Sequence, residues 1–535
     1  VTSSKANGSY GINDTIPISI SFSQIIAVTG TPQLTLEVGI IDGVASYVSG
    51  TGTKDIIFNY IIASGQNSGD LDYTNTSALS LNGGTLKDAS GNVANLTLPA
   101  PAATNSLGAN KVLVIDTNGP TVISVSSTIE DGAYNAGDTI NVTVTFSDTA
   151  VVTGTPTLLL ETGEIDAIID FSTGSGTKIL VFKYIVNSNH NTKKLNYKTS
   201  SSLVLYGGTI NDKVNNPATL ILPVPGAINS LSGNKSILID NISPLVSSVY
   251  EGENKNIDFT NSIESFSIYW ITQLDTLSGI DSYEISLGTS PGDSNKVNWL
   301  KIDSLSYTYN SSIKMENLNL ENSISYFASV RATDKAGNVS AVMTGDGITV
   351  DLSAPTSGSV HDGSGADIAY TSALDSLSGN WTGFSDAVSG IADYQYAIGT
   401  ILNGVDIQDW SSNGLDTSFI HTGHNLINTQ AYYVTVKAID QVGNVSDTVS
   451  SNGVIADHEN PAVGLVIRDK AFTNTDTLYA SWSGFADSLS GITRYEYALG
   501  TSKGATDLVD WTDNGDSSKR NLALGILLKD ASGYY

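Results

Sequence analysis

The sequence predicts an all-β chain, a tandem array of β-sandwich domains forming an extended rod. Three observations predict it. Shifted by 124 positions, residues 1–119 fall on residues 125–243 without a gap. All six tryptophans lie in the remainder, as the pairs Trp270 and Trp299, Trp381 and Trp410, Trp482 and Trp511, each pair 29 residues apart. Apolar and polar residues alternate with period two between closely spaced turn signals, the pattern of strands with one face in a core. Repetition at roughly 100–125 residues exceeds a solenoid unit of ~20–50 residues and matches one globular domain.

In chain order, the first family pairs Asp14-Thr15-Ile16 with Asp138-Thr139-Ile140, and Thr29-Gly30-Thr31-Pro32 with Thr153-Gly154-Thr155-Pro156. It also pairs Gly83-Gly84-Thr85 with Gly207-Gly208-Thr209. Ile16 to Phe22 and Ile140 to Phe146 alternate apolar and polar, as do Tyr433 to Ala438 in the second family. No helix longer than a turn or two is expected. Boundaries recur as a short apolar run ending in Asp, followed by Pro: Asp116 before Pro120, Asp240 before Pro244, Asp351 before Pro355, Asp457 before Pro461. Proline fixes φ and restricts its predecessor, so these joints should be short and stiff. The units are then 1–118 and 119–243 in one family, and 244–353, 354–459 and 460–535 in the other. Val1 aligns with Val125 and Tyr534-Tyr535 with Tyr432-Tyr433, so both ends are expected to fall inside a unit, with the first truncated and the last incomplete.

Composition bounds function. With no cysteine, disulfides are not the stabilising device. The net charge of −28, from 25 basic and 53 acidic residues, argues against nucleic acid and against docking on anionic lipid. No apolar run reaches ~18 residues, so no membrane insertion is expected in this segment. Nucleophile elbow, phosphate loop, dinucleotide fingerprint and zinc-binding helix motifs are all missing, and no catalytic role is expected.

Trp270, Trp381 and Trp482 sit in early alternating strands, and tyrosine-rich strands follow at Tyr326-Phe327 and Tyr432-Tyr433. Asp-x-x-Gly-Asn-Val-Ser recurs at 334–340 and 440–446. A sandwich needs a large inward aromatic between its sheets and often a tyrosine tying a corner. Over roughly 245–535 this pattern resembles fibronectin type III-like domains of bacterial surface proteins. Residues 1–243 resemble the bacterial immunoglobulin-like repeats of giant adhesins, on the Thr-Gly-Thr-Pro, Gly-Gly-Thr and Asp-x-x-x-Asn stretches. The resemblance, which extends to gliding-motility adhesins of Bacteroidota, implies an extracellular or cell-surface stalk segment giving reach and mechanical continuity. Its partners would be neighbouring domains of the same longer chain, with cell-surface or glycan ligands engaged by parts outside these residues. Three alternatives stay open: a surface-layer or filament lattice protein, the accessory region of a secreted polysaccharide-active enzyme, or a unit that itself binds glycan.

Among candidate sites, no cofactor is required, but calcium is a candidate at the joints, because hard cations take several oxygen ligands. Asp116, Glu130, Asp131, Asp240 and Glu251 are the candidate metal residues, with Asp457 and Glu459 and the loop from Asp362 to Asp367 as further oxygen-rich stretches. Solvated carboxylates are the alternative. Asp-Ser/Thr-aliphatic recurs and resembles the O-glycosylation motif of exported Bacteroidota proteins. It nominates Thr15, Thr139, Thr149, Thr276, Ser304, Ser376, Thr448, Thr477 and Ser488. The alternative is common residue types copied by repetition. His421 and His424 read as two exposed loop histidines rather than a metal pair. Glu37 with Lys54, and Glu161 with Lys178, read as exposed cross-strand ion pairs rather than isopeptides.

Overall fold

A computed structural model describes residues 1–253, 255–303, 310–468, 477–523 and 533. The chain is a series of β-sandwich units. In unit 1 the strands are β1 (Thr2–Ser3), β2 (Gly8–Tyr10), β3 (Thr15–Thr29), β4 (Gln33–Glu37), β5 (Gly43–Ser49), β6 (Thr53–Ile61), β7 (Asp72–Tyr73), β8 (Leu79–Ser80), β9 (Thr85–Asp88) and β10 (Leu113–Ile115). They pair in the order β1-β3-β6-β5-β4-β7, with β8 on β4, β9 on β3, and β10 beside β2. Unit 2 repeats this order strand for strand, from Val122–Ser127 to Ile237–Ile239.

The long strand β3 shows how sequence sets this geometry. Ile16, Ile18 and Ile20 alternate into the core. The register then shifts between Ser21 and Ile26, so the first half pairs with β6 and the end, Ile26 to Thr29, pairs with β9. The glycine motifs meet at that end. A Cβ on Gly84 would lie 2.2 Å from the Thr29 carbonyl oxygen, and one on Gly208 would lie 2.2 Å from that of Thr153. The Thr29 and Thr85 hydroxyls share a 2.7 Å hydrogen bond, as do those of Thr153 and Thr209. Thr-Gly-Thr-Pro and Gly-Gly-Thr are therefore two sides of one close backbone approach.

Unit 3 has a three-stranded sheet of Val246–Glu251, Phe266–Thr272 and Asn310–Met315. Facing it, Phe259–Thr260, Ile348–Val350, Ser325–Asp334, Ile280–Gly288 and Val297–Asp303 pair in that order. Unit 4 repeats both sheets. Trp270 is 0% exposed and Trp381 3%, each edge-on to a tyrosine of the facing sheet, Tyr283 at 5.2 Å and Tyr394 at 5.6 Å. The corner tyrosines are present: Tyr326 Oη accepts from Glu321 N at 3.0 Å, and Tyr432 Oη from Ile427 N at 2.8 Å. In unit 5 the described strands are Leu465–Arg468, Thr477–Ser483 and Lys519–Ala523 in one sheet, and Glu496–Leu499 with Val509–Asp513 in another. Tyr534 and Tyr535 lie outside the described residues.

Four separate apolar cores span Ile16 to Ile115, Val125 to Ile239, Val246 to Val350 and Val360 to Ala456. Units 1 to 4 thus each bury their own core. The expected ion pairs are corrected. β5 lies between β4 and β6, so Glu37 is not the cross-strand neighbour of Lys54. In unit 2, Glu161 instead lies 3.7 Å from Lys198, which also bonds Asp166, while Lys178 Nζ donates to the Ser147 carbonyl at 2.8 Å.

Candidate functional site: the joints between units

Units 1 to 4 each close on a parallel pair. Leu113–Ile115 runs parallel to Gly8–Tyr10, Ile237–Ile239 to Gly132–Tyr134, Ile348–Val350 to Phe259–Thr260, and Val454–Ala456 to Tyr370–Thr371. The aspartate ending each run adds one more rung. The N–H of Asp116, Asp240, Asp351 and Asp457 donates to the carbonyl of Tyr10, Tyr134, Thr260 and Thr371, at 2.8–3.0 Å.

At the first three joints the next unit grips that aspartate through an Asp-x-x-x-Asn hairpin. Asp334 Oδ1 accepts from the backbone of Ala336 and Asn338, and Asp334 Oδ2 from the Asn338 amide, so the hairpin is internally saturated. The remaining amide hydrogen reaches across the joint. Asn216 Nδ2 donates to the Asp116 carbonyl at 2.9 Å, Asn338 Nδ2 to that of Asp240 at 2.9 Å, and Asn444 Nδ2 to that of Asp351 at 3.1 Å. Asn135 Nδ2 to Asn338 Oδ1 (3.2 Å) and Asn261 Nδ2 to the Val442 carbonyl (2.8 Å) join the same units from the other side.

At two joints this geometry gathers three carboxylates: Asp240, Asp275 and Asp334, and Asp351, Asp386 and Asp440, with oxygen atoms all within 4.8 Å of one another. Asp240 and Asp351 are 0% exposed. Asp240 Oδ2 accepts from Ser278 N and Asp351 Oδ2 from Ser389 N, both at 3.0 Å. Burial pushes the Asp334 carboxyl up; the hydrogen bonds from Asn338 oppose this, and the charge of Asp240 adds to it. All ligand atoms on offer are hard oxygens, the donor set that calcium prefers.

Of the five predicted metal residues, only Asp240 stands in a triad. Asp116 Oδ1 accepts from Asn118 N within its own turn, and Asp131 Oδ1 accepts from Ser236 N, beside the closing strand Ile237–Ile239 of the same unit. Glu130 offers its carbonyl to the Tyr134 hydroxyl. Glu251 is buried inside unit 3, accepting from Ala328 N at 2.9 Å and Gly347 N at 3.3 Å, and burial pushes its carboxyl up. Asp362 holds the same place in unit 4, accepting from Ser451 Oγ and Gly453 N. Asp457 Oδ1 accepts from Glu459 N. Sequence reading placed Asp351 at a boundary without counting it as a metal residue, and missed Asp275, Asp334, Asp386 and Asp440 as joint carboxylates. For Asp334 and Asp440 the Asp-x-x-x-Asn spacing was the available signal.

The Asp-Ser/Thr-aliphatic motif splits in two. Asp275 and Asp487 stand where Asp386 does, and each accepts backbone N–H groups of its own loop. There it is the aspartate that recurs, since Ala387 follows it in unit 4. Thr139, Thr276, Thr448 and Ser488 are exposed; Thr15, Thr149, Ser376 and Thr477 are half-buried; Ser304 lies outside the described residues. The histidines correct their expectation. His421 is in a strand, half-buried and bonded to the Tyr396 hydroxyl at 3.0 Å, and its ring stacks on His424 at 4.7 Å.

No family model matches the chain, and comparison with curated proteins finds no match. Among solved structures the chain is similar to the chicken CNTN1 FN1–FN3 domains, at 13% identity and a TM-score of 0.23, covering 64% of this chain and 100% of that one. Strand order and pairing within the units themselves establish the tandem β-sandwich fold.

Proposed function

We propose that these residues form a load-bearing stalk segment of a large bacterial cell-surface adhesin or filament protein. The parallel closing pair carries this reading. Tension applied through the two ends of a unit pulls parallel neighbours in opposite directions along their length, so their hydrogen bonds are loaded together and must break together. The same arrangement closes four successive units. The Asn latches support transmission of that load from unit to unit. The cysteine-free, neutral-polar acidic surface fits an extracellular setting, and the resemblance to gliding adhesins narrows the family. Glycosylation belongs to the exposed Thr139, Thr276, Thr448 and Ser488 in this reading.

Single-molecule extension of the whole chain tests the proposal. Discrete ruptures are expected, each releasing roughly 35–40 nm of chain, from about 3.5 Å per residue over a unit of ~110 residues. A proline in place of Leu238, which pairs with Ala133, deletes a closing rung and should abolish the unit 2 event alone. Gradual lengthening without ruptures in the unsubstituted chain refutes the stalk reading.

In the same proposal the two aspartate triads take calcium, which offsets the mutual repulsion of carboxylates held close. Calorimetric titration should show saturable calcium binding that falls when Asp386 is replaced by Asn, and scattering should show a longer maximum dimension with calcium than with chelator. Absence of both effects removes calcium and leaves the latches alone at the joints.

A further inference from the structure

The two aspartate triads are built alike but differ in what they leave unbonded. At each, an aspartate ending one unit meets two from the next: Asp240 with Asp275 and Asp334, and Asp351 with Asp386 and Asp440. A serine backbone closes both in the same way, Ser278 N donating to Asp240 Oδ2 and Ser389 N to Asp351 Oδ2. Asp334 and Asp440 also match. Each accepts two backbone N–H groups on Oδ1 and an asparagine amide on Oδ2.

The middle aspartate and the serine are where the two part. Between units 2 and 3, Asp275 Oδ1 accepts from Leu277 N, and Asp275 Oδ2 accepts from the Ser278 hydroxyl at 3.2 Å. Both carboxylate oxygens and the hydroxyl are engaged. Between units 3 and 4, Asp386 Oδ1 alone takes the N–H groups of Val388, Ser389 and Gly390, at 2.8–3.0 Å. Asp386 Oδ2 accepts no hydrogen bond among the described residues. Ser389 is 3% exposed, and its buried hydroxyl has no hydrogen-bond partner. Ser389 holds the position from which the Ser278 hydroxyl reaches its triad, so the unpartnered oxygen belongs to the triad of Asp351. A buried hydroxyl without a partner costs free energy, and an ion is one of the few groups that can complete it.

We propose that, within the calcium reading on which this rests, the joint between units 3 and 4 holds the tighter calcium site, with Ser389 Oγ as a ligand beside oxygens of Asp351, Asp386 and Asp440. Calcium takes several oxygens in flexible geometry, carboxylate and neutral together. A serine hydroxyl can turn its lone pairs to the cation and its proton away. At the joint between units 2 and 3 the Ser278 proton is committed to Asp275, and that bond must be given up before calcium enters. The ligands of the tighter site come from both sides of the joint, so the cation ties unit 3 to unit 4. The neighbouring joint keeps hydrogen bonds in that role, including the one from Asn135 to Asn338 at 3.2 Å. Scarce calcium then stiffens one joint and leaves the other as it was.

The test is calorimetric titration of the full chain with calcium, with hydrogen exchange read in parallel. Two classes of site are expected. At one calcium per chain, new protection should appear in segments 386–390 and 440–444 and not in 275–279 or 334–338. Ser389→Ala should weaken the tighter class roughly tenfold, equivalent to about 1.4 kcal/mol, and leave the weaker class unchanged. Ser278→Ala should leave the tighter class unchanged. In chelator the Ser389→Ala chain should melt as the parent does, because the hydroxyl bonds nothing there; a destabilised variant would give the hydroxyl a structural role and overturn the proposal. Two equal classes, or a tighter class indifferent to Ser389→Ala, overturn it while leaving calcium at the joints. No calcium binding by the parent chain removes the calcium reading and this site with it.

Discussion

Trp381 packs against Tyr394 and Phe419 between the sheets of unit 4, and among the described residues its indole N–H finds no acceptor. The side chain therefore contributes through volume and apolar contact. Trp381→Ala should cost about 3–5 kcal/mol in unit 4. Trp381→Phe should cost clearly less, since no hydrogen bond is lost. Denaturant melts that resolve unit 4 check both; a Trp381→Ala chain as stable as the parent would place this tryptophan outside the core. Asp362 makes a second residue-scale case. Burial pushes its carboxyl up to about 6, against the hydrogen bonds from Ser451 and Gly453, with the Asp367 charge adding to the rise and His361 opposing it. The folded chain thus keeps a proton that the unfolded chain releases near pH ~3.9. The stability this brings is fully present below that value and is lost as pH rises through about 6. His424 acts oppositely: burial, then His421, pulls it down, so its contribution is present at neutral pH and lost on acidification. Asp362→Asn should flatten the decline of unit 4 stability between those two carboxyl values and leave the histidine dependence in place. Melting temperatures across pH decide it: a parent and variant with parallel profiles would mean the Asp362 carboxyl titrates normally.

At the scale of elements, the Asp-x-x-x-Asn hairpin turns a local motif into a contact between domains. In Asn338→Ala the Asp334 carboxylate loses one donor and the Asp240 carbonyl loses its partner across the joint. The coupling between units 2 and 3 should fall by about 1 kcal/mol. Asn92→Ala removes only the bond within its own hairpin, and should leave the coupling of units 1 and 2 unchanged. Comparing melts of linked and separated unit pairs measures the difference; equal effects of the two variants would show that the latch carries no coupling. Strands, alternation and the buried tryptophans were legible because burial with period two is written in neighbouring residues. The triads were not, because each draws its carboxylates from three loops of two units, and only folding brings them together. Glu251 misled for the converse reason. It lies close to Asp240 in sequence, but its alternating strand turns it into the core of unit 3, where backbone N–H groups hold it.

Across the whole molecule, the connection between units 1 and 2 joins two members of one family, that between 2 and 3 joins members of different families, and that between 3 and 4 joins two of the second. The connector is nevertheless the same each time: an aspartyl carbonyl held by an asparagine amide. Such an array behaves like rail wagons sharing one coupling, whatever their bodies. Excising residues 241–351, so that Asp240 runs directly into Leu352, should leave a shorter chain in which Asn444 holds the Asp240 carbonyl. Its remaining units should melt as they do in the parent. Loss of unit 4 folding in that deletion would show that the connectors are matched pair by pair. If they are interchangeable, gene segments of this kind can gain or lose whole units by recombination without redesign of any interface, and the length of the protein becomes a trait free to vary between lineages.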